Sequence, residues 1–315
     1  MRFVNVITLG FAAANASRIY SCTEKNTMAL TFDDGPWQYT TELLDQLKDA
    51  GIHATFFING ENYWKDLAKD SKKKAIITRA HDEGHLIASH TWKHEIPEDR
   101  ELLKQSLKKI DDLIEECTGS RPKYFRAPLG HCGSDCIDFL ENTWGYKVIQ
   151  WDTDTNDWDV KKDANRKVTP ESKKERVALV KKFLKEEWSK KKKNYLVLMH
   201  DVQEHTVHEI VPWIIKNKPE GYKYVTVAEC LGDYSQSGKL AMKEGNTTLT
   251  DANATNTTVT NTTVTTQVPL TSQTPIPAAN NTSNQLQANT SGAMNISSNF
   301  AVIATLLVST LYMLL

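Results

Sequence analysis

The chain has 315 residues, 40% of them apolar and 24% charged, with a formal net charge of −1. That length exceeds the needs of one compact domain, and so balanced a charge gives no support for nucleic-acid binding. Composition also changes along the chain, which divides it into parts.

Residues 1–16 carry Arg2, an apolar run over 3–14 and the small-residue site Ala14-Asn15-Ala16. A basic n-region, an h-region and such a site form a secretory signal peptide. Between residues 22 and 231, β-rich runs alternate with helical patterns. The expected strands cover 28–32, 54–58, 85–89, 124–127, 146–151, 195–199 and 222–227. The clearest helix covers 99–117, where Leu102, Leu103, Leu107, Ile110, Leu113 and Ile114 recur at three- and four-residue steps before a stop at Gly119 and Pro122. Further helices are expected over 39–50 and 170–190. Strand–helix units with short connections imply an α/β fold with a parallel sheet, which repeated crossovers can close into a distorted (β/α) barrel of about seven strands. The rival, a doubly wound open sheet, usually carries a Gly-rich phosphate loop, and none follows the early strands.

In a β/α barrel, chemistry gathers where the strands end. The first strand runs into Thr31-Phe32-Asp33-Asp34-Gly35-Pro36. Adjacent carboxylates repel unless a cation neutralises them, so the pair suggests one metal ligand and one general base; the alternative is a turn in which Asp33 or Asp34 caps the next helix. The third strand leads into Ser89-His90-Thr91-Trp92-Lys93-His94. Two His four apart share a side of one helical turn, and with Asp34 they would form the open three-ligand site that catalytic zinc prefers. Arg126 follows the fourth strand, where it pairs with a carboxylate in either a catalytic or a structural role. An Asp157-Trp158 loop follows the fifth, and His200 ends the sixth, where a satisfied core histidine is the alternative. The basic run at Lys190–Lys193 reads as a solvated helix end.

Residues 246–299 are Thr, Asn, Ser, Ala and Pro with almost no charge, too polar to fold, and a disordered glycosylated stalk is expected over 236–290. Sequons run from Asn246 to Asn295. An apolar tail over 300–315 then reaches the last residue without a basic flank. It is short for a spanning helix and fits a GPI-attachment signal, with residues 291–315 removed on maturation; a single-pass helix is the alternative.

Five stretches in order, Thr31–Pro36, Ser89–His94, Arg126-Ala127-Pro128, Asp157-Trp158 and Leu196–His200, resemble the motifs of carbohydrate esterase family 4, the polysaccharide deacetylases. The fungal-type chitin deacetylases are the closest in look, through Ala54-Thr55-Phe56-Phe57 and the run Val227–Asp233. The resemblance spans about residues 22–235. It implies a divalent metal, Zn2+ or another such as Co2+, bound by Asp34, His90 and His94. Asp33 would be the general base, oriented by Arg126, and His200 the general acid, tuned by Asp157. Trp158 and Leu198 would line the acetyl and sugar groove. One departure concerns position 129, where the family usually places an aromatic and this chain has Leu129, whose N–H could still serve as an oxyanion donor.

Cysteine use agrees with secretion. Cys22 precedes the first strand and Cys230 follows the last, so their bridge would tie the barrel ends together. Cys132 and Cys136 lie four apart in one loop and are expected to pair, leaving Cys117 as a free thiol. His53, His81, His85, His205 and His208 read as structural or surface residues, and His131 stays open. The resulting expectation is a secreted, monomeric, GPI-anchored enzyme that hydrolyses the N-acetyl groups of chitin or chito-oligosaccharides. The alternatives are a wall-binding barrel without turnover and a surface protein whose role is its stalk.

Overall fold

Strand β1 (Thr27–Asp33) is buried along its whole length, as a strand is when helices cover one face and a barrel interior covers the other. Met28, Leu30 and Phe32 join the large core beneath the helices, whereas Ala29 packs into a second cluster inside the curl of the sheet. By the two-residue period of a strand, Thr31 and Asp33 share the inward side with Ala29.

A computed structural model describes residues 18–236. The expected signal peptide over 1–16, stalk over 236–290 and GPI signal over 291–315 lie outside the described residues, but for the stalk's first residue. The other strands are β2 (Thr55–Ile58), β3 (Leu86–Ser89), β4 (Tyr124–Phe125), β5 (Lys147–Val148), β6 (Thr153–Asp154), β7 (Asn194–His200) and β8 (Lys223–Val225). The helices are α1 (Thr40–Asp49), α2 (Ser71–Asp82), α3 (Arg100–Thr118), α4 (Ser134–Asp138), α5 (Pro170–Ser189), α6 (Val211–Asn217) and α7 (Val227–Cys230). Among the described residues, no helix is long and apolar enough to cross a membrane.

Every strand pair is parallel, in the order β5-β4-β3-β2-β1-β7-β6, with β8 paired to the first half of β1. β5 and β6 thus stand at opposite ends of the order, yet only residues 149–152 separate them in sequence. An extended chain of that length spans at most about 18 Å from Val148 to Thr153. The sheet must therefore curl until its ends approach each other, and this is the distorted barrel expected from the sequence. β6 is an addition to the expected strands, since a two-residue strand leaves no periodicity.

Local signals set the helix ends. Asp99 accepts hydrogen bonds from the N–H groups of Glu101 and Leu102 at the start of α3, and Gly119 at φ 80° ends it. Thr169 and Ser172 cap α5 reciprocally, with Pro170 in its first turn. Helix α1 begins only at Thr40, after Tyr39 at the N-cap, so neither Asp33 nor Asp34 caps it. Cys22–Cys230 and Cys132–Cys136 are bridged, and Cys117 is free. The first bridge packs with Val227, Ala228, Ala29 and Leu196 inside the sheet, and so plugs the end of the barrel away from Asp33.

Candidate active site and metal centre

Strand register brings the first side chains together. Asp33 on β1 lies opposite His200 on β7, and Thr31 opposite Leu198, so all four sit on the inward face. Leu198 is buried one pair below His200, where it can form only the floor of the site. Arg126, fully buried just after β4, reaches across: Nη1 donates to Asp33 Oδ1 at 2.8 Å and to Thr31 Oγ1 at 2.6 Å, and Nη2 donates to the Gln150 carbonyl at 2.8 Å. Its guanidinium stacks 4.1 Å from the centre of the Phe57 ring. So many bonds leave Asp33 Oδ1 one orientation and compensate its charge in a dry environment.

Asp34, His90 and His94 form the other half. Among the described residues, they make up a group whose ligand atoms all lie within 4.8 Å of one another. Asp34 Oδ1 is 3.4 Å from His90 Nε2 and 3.1 Å from His94 Nε2. His90 Nδ1 lies 2.8 Å from the Arg126 carbonyl, to which it must donate, leaving the Nε2 lone pair free for a metal. Asp34 Oδ1 is buried without a hydrogen-bond partner, an orphan that a cation would satisfy. Burial opposes ionisation of Asp34, yet His90 and His94 together hold its carboxyl well below the usual range. Two nitrogens and a carboxylate oxygen in this arrangement suit zinc and comparable divalent ions.

The two His come together differently from the expectation. His90–His94 is not a helical turn; Thr91 at φ 71° and His94 at φ 57° bend the chain back on itself. A positive φ is a clear outlier for a β-branched Thr and marks a conformation imposed by its surroundings. Asp34, Leu129 and Asn156 also have positive φ, so most of the non-glycine residues in that region border this site.

His200 faces this group from β7. Its Nδ1 lies 2.7 Å from Asp157 Oδ1, and its own N–H donates to Asp157 Oδ2 at 2.8 Å. Thr206 Oγ1 also donates to Oδ2, at 2.6 Å, and His205 Nε2 donates to the Asp157 carbonyl at 2.8 Å. Burial lowers the His200 pKa, but Asp157 foremost, then Asp34 and Asp33, outweigh it and push the imidazole up to about 10. Burial likewise opposes the Asp157 carboxylate, and His200 brings it below the usual range.

The rim is open. Trp158 is 54% exposed and Leu129 is 74% exposed, the latter on a tight turn over Pro128–Gly130 that Cys132–Cys136 follows. His131, at the end of that turn, is exposed.

Residues 20–149 match the family model described as polysaccharide deacetylase. A chitin deacetylase of Colletotrichum lindemuthianum is 36% identical over 221 residues, covering 68% of this chain and 83% of that protein. The chain belongs to the polysaccharide deacetylase family. A chitin deacetylase of Pestalotiopsis sp. is 34% identical over 220 residues, covering 69% of this chain and 67% of that one. The solved structure of the Colletotrichum lindemuthianum chitin deacetylase matches with a TM-score of 0.62 at 33% identity, covering 70% of this chain and 94% of the other.

Three residues of this deacetylase escaped the sequence reading. Asn59, after β2, donates its side-chain amide to the carbonyls of His90 and Thr91 while its N–H donates to the Gly35 carbonyl at 2.9 Å, tying the two ligand-bearing turns together. Asp201 is fully buried behind the Asp33–Gly35 turn, accepts from Thr40 Oγ1 at 2.5 Å, and is pushed by burial up to about 7. Thr206 fixes Asp157. The first two follow strand ends directly, which was the available signal; Thr206 offered none.

Proposed function

We propose that this deacetylase hydrolyses the N-acetyl groups of chitin N-acetylglucosamine units, giving chitosan and acetate. The supporting observation is the convergence of two prepared proton-transfer pairs, Asp33–Arg126 and His200–Asp157, on the Asp34, His90 and His94 donor group. Bound there, a zinc or similar divalent ion would polarise the acetamide carbonyl and lower the pKa of a water. Asp33, held by Arg126, takes the proton from the attacking water. The Leu129 N–H donates to the developing oxyanion. His200, protonated at neutral pH because of Asp157, gives its proton to the departing amine, and acetate and a glucosamine unit result. The chitin deacetylase names of the relatives and the open rim at Trp158 and Leu129 support a polymeric glycan over a small amide.

Acetate release by the purified protein from chitin, chito-oligomers, acetylated xylan and peptidoglycan, before and after metal removal, tests this. Release from chito-oligomers that stops on chelation and returns with zinc or cobalt is expected. A metal-loaded protein that binds chitin and frees no acetate would favour the wall-binding alternative, for which the Leu129 departure is the motive. As part of the same proposal, the signal peptide and the tail over 291–315 would place the enzyme at the cell surface through a GPI anchor. Phosphatidylinositol-specific phospholipase should release it from membranes, whereas finding residues 300–315 in the membrane-bound mature protein would establish a single-pass anchor.

A further inference from the structure

The seam where the barrel closes carries a buried amide that the mechanism leaves unused. Gln150 lies between β5 and β6 and is buried. Its backbone is gripped from both sides. The N–H donates to the Ile19 carbonyl at 2.7 Å, and Ile19 pairs in parallel with Ile149 just beyond the end of β5. The carbonyl accepts from Arg126 Nη2 at 2.8 Å, the same guanidinium that orients Asp33. With the main chain so placed, the side chain crosses to the turn over Pro128–Gly130, where Nε2 donates to the Gly130 carbonyl at 3.0 Å.

That turn needs support. Leu129 at φ 57° and Gly130 at φ 69° are successive left-handed residues, and a Leu takes that conformation where its surroundings impose it. Within the turn, the Gly130 N–H donates to the Ala127 carbonyl at 2.8 Å and the His131 N–H to the Pro128 carbonyl at 3.1 Å. These bonds shape the turn, and contacts from the seam set where it lies. Gln150 holds the Gly130 carbonyl, and Arg18 donates to the Cys132 carbonyl just beyond. A Cβ on Gly130 would fall 2.8 Å from the Trp151 ring and 3.2 Å from Gln150 Oε1, so glycine lets the turn lie directly against both.

A buried amide commonly does no more than satisfy a carbonyl. This one joins two parts of the site: its backbone holds Arg126, and through it Asp33, while its side chain holds the turn that carries Leu129. We propose that Gln150 is a positioning residue, which aims the Leu129 N–H at the developing oxyanion in register with the general base. Charge builds on the carbonyl oxygen as the water loses its proton, so donor and base must be placed relative to each other. A donor already in place costs no reorganisation at that moment. The inference rests on the deacetylase reading, which supplies the oxyanion.

The test compares the unsubstituted protein with Gln150→Met, which fills a similar space without a donor, and Gln150→Asn, whose amide is one methylene too short to reach Gly130. In both variants kcat on chito-oligomers should fall roughly tenfold to 10²-fold with KM little changed, because the displaced donor acts only on the transition state. Metal content and Tm should stay close to those of the unsubstituted protein. Amide hydrogen exchange, read by mass spectrometry, should quicken over residues 126–133 and stay the same over 86–94. A fall in Tm with kcat unchanged would overturn the positioning role and leave Gln150 a structural amide. An unsubstituted protein that frees no acetate from any glycan would end the deacetylase reading instead. Exchange would then still decide on Gln150, since an unchanged rate over 126–133 would show that its side chain does not hold the turn.

Discussion

Asp33 ends one strand of the sheet and Leu129 comes soon after another, yet they live under opposite constraints. Asp33 is buried at the end of a seven-residue strand and held by an Arg with three bonded partners. Leu129 follows a two-residue strand and is 74% exposed. Groups that move protons are fixed from several sides, because an error of about 1 Å there can cost 10²-fold in rate. Groups that hold sugar sit on the rim, where a side chain can change without disturbing the strands beneath. Such a division lets a departure at Leu129 coexist with an otherwise complete set of reacting groups.

The sharpest way to break the comparison is to remove a ligand from the fixed part. His94→Ala should take metal content from about one ion per chain to none, measured by elemental analysis, with turnover falling to background. Retained metal and turnover would dismiss the ligand assignment.

Asp157→Asn should come next, lowering kcat roughly 10²–10⁴-fold. It also alters the pH profile. With His200 as the proposed acid, activity should be lost as pH rises through its pKa, which lies at about 10 with Asp157 present. Bound metal offsets the share of that rise owed to Asp34. Removing the Asp157 charge lowers the pKa further, so the alkaline limb should move toward neutrality. An unmoved limb would show that another group sets it.

Gly35→Ala probes the support beneath the Asp33–Asp34 turn. Its Cβ would fall 2.2 Å from Asp201 Oδ2. Such overpacking should cost about 1–3 kcal/mol, visible as a fall in Tm of several degrees, with weaker metal binding. A Tm equal to that of the parent would mean that Asp201 moves aside freely.

Leu129→Tyr should have the smallest effect, because the backbone N–H stays in place and only contact area is gained. A fall of a few-fold in KM with kcat little changed is expected on chito-oligomers. A large rise in kcat would instead place the side chain at this position in the transition state.

The strands and helices with strong periodicity were legible from the residues themselves. The pattern of α3, with Asp99 before it and Gly119 after it, is local chemistry, and so is the burial of β1. Order along the chain also put Asp33, Asp34, His90, His94, Arg126, Asp157 and His200 at strand ends, which in a parallel fold converge on one side, and the structure brings them together there. What sequence could not supply was geometry that depends on distant atoms. The bend at Thr91 and His94 exists because Asn59, 31 residues before His90, holds the His90 and Thr91 carbonyls. β6 exists because it pairs with β7. Asp201 matters because Gly35 lets the turn lie against it. Periodicity and caps act over a few residues and are written in the sequence. Bent loops, short strands and buried carboxyls take their form from whatever packs against them, and only the folded chain brings those partners together.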